Sequence, residues 1–400
     1  MERRRDLTVR VARTLEEVEE LRPAWVAMQW HPNTDIDFYK MIVQIRSNVI
    51  RPHVMVVFQE DQPIAILVCR LETIRLDCRF GYKTLYQPEV KSLTILHGGL
   101  LGSDTPEIAS VLIDGLFREL KKGEIDRVHL ALMDRSTHFF KMFRKYPHWW
   151  NRHAIVHTAP HYVTELPTSP QELLSRFGRK HRHNIRNEQR RLEKQVGSLV
   201  LKLYREVDEV EELCLTVEQV ACKTYQRGLG VGFSNDKERR YIINHGAQNG
   251  SLRGFVAIAN GQPLAFLLAT IYNGVAHLNV TGYDPELSRY SPGTILFLDA
   301  FGALCWESVK KVDWGLGHAD YKKPFSTMHW EESSGYLFST SLKGLRLNLV
   351  RTLINGADLA VKRLFQNLQF LRTIKKRWRQ KRLPSVESKR IPIDSEKYEV

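Results

Sequence analysis

Groups able to move protons or fix a charge collect in the stretch VDWGLGHADYKKPF, residues 312–325. Read with the two-residue period of a strand, Val312, Trp314 and Leu316 face a core, and Asp313, Gly315 and Gly317 share the opposite face. Two glycines beside a carboxylate leave room for a ligand, or they mark a bulge. His318, Asp320, Tyr321 and Lys322 follow directly. One short segment thus offers an acid, a base and a fixed cation, with Asp313, His318, Tyr321 and Lys322 as the candidate catalytic set.

A second segment suits an anion. RYSPGT, Arg289 to Thr294, opens onto the apolar run from Ile295 to Trp306, which at that length is a helix. A helix N-terminus presents unpaired N–H groups and the positive end of the helix dipole. Pro292 suits the first turn, and Gly293 lets a ligand approach the backbone. Arg289, Ser291, Gly293 and Thr294 are therefore candidate cofactor-binding residues; an ordinary helix start is the other reading. A third segment is cationic. Behind Ser169 (an N-cap, with Pro170 next and Glu172 three residues on), residues 176–194 carry eight Lys/Arg against two Glu. Its stripe of Leu173, Phe177, Ile185, Leu192 and Val196 predicts one long helix. Either the helix is solvated and packs across two domains, or it forms an anion-binding rim through Arg179, Arg182 and Arg186.

The elements that must position these groups are written twice. DQPIAILV at 61–68 returns as GQPLAFLL at 261–268, and LTVRVARTLEEVEEL at 7–21 returns as LVLKLYREVDEVEEL at 199–213. Each copy begins with an alternating strand, and each offers a helix start, Thr14 with Glu17 and Asp208 with Glu211. Strand pairs carrying the Gln-Pro phrase come next. In the second copy LRGFVAIA, LAFLLATI and VAHLNVTGY are strands around tight turns, followed by the helix, the strand KKVDWGLG and a last strand SGYLFST. In the first copy strands fall at 54–58, 64–70 and about 93–97. HGGLLGSDTPE then serves as a turn or acceptor-site loop. A helix with Val111, Leu112, Leu116 and Leu120 on one face, the strand RVHLALM and a closing strand within HAIVHTAPHYVTEL complete it. This order predicts an α+β fold, two tandem units of mixed, mostly antiparallel sheet flanked by helices.

Composition agrees with a globular chain: 400 residues, 43% hydrophobic and 26% charged. Five scattered cysteines with no Cys-x-x-Cys pair argue for a reducing compartment. Fifteen histidines form no His-Glu-x-x-His and no ligand-spaced set, so no metal is expected. The sequence shows neither a signal peptide nor a membrane-spanning run, which points to the cytoplasm.

The succession RKHRHNIRNEQRRLEK, GQPLAF, GYDPE, SPGTILFLDAF, VDWGLGHADYKKPF resembles the tandem-domain acyltransferases of the GNAT superfamily. Within it the chain is similar to the cellulose- or exopolysaccharide-biosynthesis acetyltransferase-like group, which is related to FemABX-type aminoacyl-transferases. The likeness is good over about 170–340 and loose over 1–165. It implies two GNAT-like domains, 1–165 and 166–340, and transfer of an acyl group from acyl-CoA to an amine or hydroxyl. The superfamily signature Gln/Arg-x-x-Gly-x-Gly/Ala is met at Arg289, while Pro292 and Thr294 stand where Gly and Gly/Ala are usual. Tyr321–Lys322 before Phe325 matches the Phe–Lys pair of the aminoacyl-transferases, which implies that Lys322 acts on the reacting carbonyl. Such chemistry needs a base for the amine and a proton for the departing thiolate; Asp313 and His318 are the candidates.

Residues 341–400 lie outside the resemblance. They hold fifteen Lys/Arg and five Asp/Glu, a balance of +10 within a chain total of +14. Apolar residues at helical spacing with basic residues between and after them read as a basic amphipathic helix at a membrane surface, or as a packed helix with a disordered tail. The expectation is an acyl-CoA-dependent N- or O-acyltransferase, cytoplasmic or at the inner face of the membrane. Its acceptor is a small molecule or a glycan- or lipid-linked envelope or exopolysaccharide precursor. An aminoacyl-transferase using tRNA is the runner-up, and a non-catalytic membrane-surface scaffold is a third reading.

Overall fold

The structure is a computed structural model that describes residues 7–81, 83–145, 148–153, 156–228, 232–316 and 321–365. The chain begins with β1 (Leu7–Ala12), α1 (Leu15–Glu20), α2 (Arg22–Met28) and α3 (Ile36–Ile45). Strands β2 (Val49–Gln59), β3 (Gln62–Arg75), β4 (Cys78–Phe80), β5 (Lys83–Tyr86) and β6 (Glu89–Gly102) lead into α4 (Pro106–Lys121). β7 (Arg127–Asp134), α5 (His138–Lys145) and β8 (His157–Glu165) follow. Next come α6 (Pro170–Ser175), α7 (Arg179–Val196), β9 (Leu199–Tyr204), α8 (Val210–Ala221), α9 (Tyr225–Gly228) and α10 (Lys237–Gln248). A meander of β10 (Leu252–Ala259), β11 (Gln262–Tyr272) and β12 (Val275–Tyr283) precedes α11 (Pro292–Trp306) and β13 (Lys311–Leu316). β14 (Met328–Phe338) and α12 (Leu342–Phe365) end the described chain.

Two compact units result. The first holds the described residues up to Ala159 and from Glu331 onward; the second runs from Pro160 to Trp330. The first unit's sheet is ordered β1-β2-β3-β6-β7-β14, the second's β8-β13-β12-β11-β10-β9. Within each, a parallel step, β6 on β7 or β12 on β13, interrupts an otherwise antiparallel run. The closing strands are exchanged relative to sequence order. β8 pairs with β13, and β14 pairs with β7. The contiguous division at 165/166 and 340/341 is corrected accordingly. Each strand carries the alternation that any closing edge accepts, and partner choice is a long-range matter that a local pattern does not encode.

Both units cover their sheets with amphipathic helices. In the first, α4 sets Leu112, Leu116 and Leu120 against Leu67, Leu93 and Leu130, while Trp25 and Tyr39 cover the other face. In the second, α11 lies on Leu267, Ala276 and Val312 through Leu296, Phe301 and Leu304, and α8 and α10 cover Val256, Phe266 and Leu268. The duplication extends to an ion pair: Arg13 binds Glu119 at 3.0 Å and its counterpart Arg205 binds Glu307 at 2.8 Å.

Several local expectations change. The predicted long helix is two, because the chain leaves the helix at Arg176–Gly178 to turn Phe177 into the core, 5.2 Å from Phe325. The stripe of α7 packs inside the second unit, with Leu192 against Tyr290 and Ile295. HGGLLG is the end of β6 rather than a loop. Gly98 at φ 74° lets this strand close on His31, where an added Cβ would stand 2.5 Å from the His31 Cβ. Thr14 and Glu17 form the expected capping box, but in the second copy the box is Glu206 with Glu209, ahead of a 3₁₀ turn, not Asp208 with Glu211.

Candidate active site

Backbone register creates the opening. β12 and β13 pair only at Val275–Lys311, Ala276–Val312 and His277–Asp313. β12 then continues to Tyr283, whereas β13 bulges: Gly315 has φ 61°, and its pairing with β8 shifts between Asp313 and Leu316. Of the two sequence readings of the glycines, a bulge holds for Gly315, since φ in that region is accessible to glycine at little cost. Two parallel strands that stop pairing leave a row of β12 amide groups without a β13 partner.

Asp313 sits at the point of divergence and is 9% exposed. As the alternation predicts, Val312 and Trp314 enter the core and Asp313 takes the other face. There His161 Nε2–H, from β8, donates to its Oδ1 at 2.6 Å, and His277 Nδ1 lies 3.4 Å from its Oδ2. The Gly315 N–H donates to the same Oδ1 at 2.7 Å, so the bulge also secures the carboxylate. Burial works to raise the Asp313 carboxyl, but the hydrogen bonds from His161 and His277 outweigh it and hold the group well below the usual carboxylate range. His161 is held from the other side by Trp330, stacked at 4.4 Å. With Nε2–H committed to Asp313, neutral His161 carries its lone pair on Nδ1; the same logic places that of His277 on Nε2.

Lys322 is 5% exposed and reaches the bulge from behind, donating to Trp314 O at 2.9 Å and Gly315 O at 3.4 Å. Burial depresses its ammonium to about 8, against which the Asp313 charge acts upward. Tyr321 stacks on Phe297 at 5.6 Å, in an aromatic group with Trp314 and Phe325. Its ring packs the wall behind the strand. His318 lies outside the described residues.

The cofactor-binding candidates meet at the start of α11. Ser291 adopts the left-handed conformation (φ 52°, ψ 48°) and Pro292 begins the helix. The first turn offers few amides: Pro292 has none, and the Thr294 and Ile295 N–H groups both bond Ser291 O, which leaves that of Gly293. Charge comes instead from guanidiniums, Arg289 at 4.7 Å and Arg191 at 5.7 Å from the Tyr290 ring. Gly293 faces Tyr283, whose ring carbon would lie 3.4 Å from an added Cβ. These residues fit a phosphate by charge more than by an amide cradle. Arg179 and Arg186 are exposed and form no ion pair with a described residue, while Arg182 reaches back to Ser175 O at 3.4 Å. No described contact joins them to the Asp313 cluster.

Sequence reading missed His161 and His277. Each is a lone histidine on an apolar strand, and only the register β8–β13–β12 shows that both face one carboxylate. The register also shows which copy holds the site. Since 69 corresponds to 269, Thr94 opposite His129 matches His277 opposite Asp313, so the first unit has no carboxylate at that place.

Residues 179–323 match the family described as the acetyltransferase (GNAT) domain. No curated protein matches the sequence. Among solved structures, a tandem GNAT protein from the clavulanic acid biosynthesis pathway is similar in fold at TM-score 0.50 and 10% identity, over 84% of this chain and 99% of that one. FemX gives TM-score 0.48 at 10% identity, over 82% and 96% of the two chains. The C-terminal domain of a putative lysylphosphatidylglycerol synthetase from Agrobacterium fabrum gives 0.45 at 13%, over 76% and 89%. Residues 179–323 of the second unit thus match the acetyltransferase (GNAT) domain, the first unit repeats the same strand plan, and the chain as a whole is similar in fold to a tandem GNAT protein.

Proposed function

We propose that the second unit moves an acyl group from acyl-CoA to an amine or hydroxyl of a cell-envelope or exopolysaccharide precursor. The observation that carries this reading is the His161–Asp313–His277 cluster at the divergence of β12 and β13. The edge of β12 from Leu278 to Tyr283 would take the amides of a pantetheine arm as a further strand, the usual way an exposed edge binds an extended ligand. Arg289 and Arg191 would hold the phosphates. His161 or His277 accepts a proton from the acceptor as its nitrogen or oxygen bonds to the thioester carbon, and Asp313 stabilises the imidazolium that results. The carbon–sulfur bond then breaks, and the imidazolium returns the proton to the leaving thiolate. Lys322 fixes the Gly315 bulge from behind and brings a positive charge close to the reacting carbonyl.

The test is thiol release by purified protein from acetyl-CoA with envelope glycans or amino sugars as acceptors. Asp313→Asn and His161→Gln should lose it. Thiol release independent of acceptor and unchanged in both variants would refute the reading. The exposed cations of α7 favour aminoacyl-tRNA as the second donor to try; label transfer from aminoacyl-tRNA without thiol release would select it.

A further inference from the structure

Helix α12 is amphipathic in the reverse sense. Its inward face docks on the first unit largely by polar groups. Asn348 Nδ2 donates to Trp150 O at 2.8 Å and Arg152 O at 3.1 Å. Arg351 lies 4.1 Å over the Tyr336 ring, and Thr352 and Asn355 contact His153 at 3.2 and 3.3 Å. Leu347 is the deeply buried apolar contact. The leucines are on the outside: Leu342 is 88% exposed, Leu349 60% and Leu353 62%. Positions 342, 349, 353 and 360 fall on one stripe of a helix, with Arg346 exposed on the same stripe. A helix facing water normally presents the opposite pattern.

We infer that the outer face of α12, together with the basic sequence after it, docks on an anionic lipid surface. Three observations select that occupant. The leucine stripe takes no part in folding its own unit, so it is available for insertion. No carboxylate interrupts it, since Asp358 accepts the Gly81 N–H at 2.8 Å. The sequence between Asp358 and Glu387 then carries nine Lys/Arg and no Asp/Glu. Leucines flanked by cations are the composition of an interfacial helix, which buries its apolar face shallowly while the cations meet lipid phosphates. A second copy of this chain is a poorer occupant, because each copy would carry an exposed Arg346 and the same run of nine Lys/Arg to the contact with no carboxylate on the stripe to meet them. None of this depends on the acyl-transfer reading; it would place the enzyme where a lipid-linked acceptor lies.

The experiment uses the full chain with vesicles of phosphatidylcholine alone and of phosphatidylcholine with phosphatidylglycerol. Sedimentation should show binding to the anionic vesicles only, weakening as salt rises. Leu349→Glu with Leu353→Glu should cut the partition coefficient at least tenfold, with Tm unchanged because both sites are exposed. Replacing Lys375, Lys376 and Arg377 by Gln should cut it on the order of a hundredfold, at roughly fivefold per charge. The inference is overturned if the full chain ignores anionic vesicles at low salt, or if the leucine variant binds them as the parent does. It is equally overturned if light scattering shows a dimer that the leucine changes dissolve while vesicle binding stays absent.

Discussion

Replacing Lys322 by Met separates stability from chemistry. The ammonium is buried against Trp314 O and Gly315 O, and burial lowers its pKa from 10.5 to about 8. Each pH unit of displacement is worth about 1.4 kcal/mol, so a charged Lys322 costs the fold on the order of 3 kcal/mol at neutral pH. The sign follows from proton counting. Between pH 8 and 10.5 the unfolded chain binds the proton and the folded chain has released it, so stability rises with pH across that window and is flat below it. Methionine removes the cost but takes a donor from two carbonyls, a loss of about 1–3 kcal/mol each. The two effects nearly cancel at pH 7, and Tm should move by only a few degrees. Above pH 8 the parent should gain on the variant by about 3 kcal/mol as pH approaches 10.5. Turnover should fall about 100- to 1,000-fold, the usual effect of losing one electrostatic donor at a reacting oxygen. Thermal melts at half-unit pH steps, with thiol-release kinetics on the same samples, provide both readings. Lys323→Met, at the exposed neighbour, is the control. Equal turnover in the two variants would exclude Lys322 from the reaction, and a flat difference in stability between pH 8 and 10.5 would refute the buried-ammonium reasoning.

Asp313→Asn should lower turnover at least 100-fold by removing the group that orients both histidines. Because the folded Asp313 pKa is depressed, its stabilisation is present above about pH 4 and is lost as pH falls through the folded value; an acid-unfolding profile unchanged in the variant would contradict this. Gly293→Val fills the space beside Tyr283 at the start of α11 and should abolish the rise in Tm caused by saturating acetyl-CoA; an undiminished shift would remove the start of α11 from the cofactor site. Asp61→Gly should stabilise by about 0.5–1 kcal/mol, since Glu60 and Asp61 sit at φ 49° and 61° where the other copy has Asn260 and Gly261. The exposed Arg10–Asp61 pair it removes is worth little, and a lower Tm would disprove the strain.

Local pattern determined most of the elements. The helix from Pro292, the meander from Leu252 to Tyr283 and the placement of Asp313 opposite Val312 and Trp314 follow from periodicity and turn chemistry, which act over a few residues. The duplication was legible because two copies of one plan keep the same alternation, the same Gln-Pro turn and the same Glu-Val-Glu-Glu-Leu block. Tertiary structure decided what depends on distant partners. It exchanged β8 and β14 between the units, which no alternation specifies, and broke the basic helix at Gly178 so that Phe177 could reach Phe325. It also made the candidate site. His161, His277 and Asp313 are far apart in the chain, and a histidine on an apolar strand carries no mark of the carboxylate it will face. Register across three strands creates that contact, because pairing fixes which side chains share a face and sequence alone does not choose the neighbour.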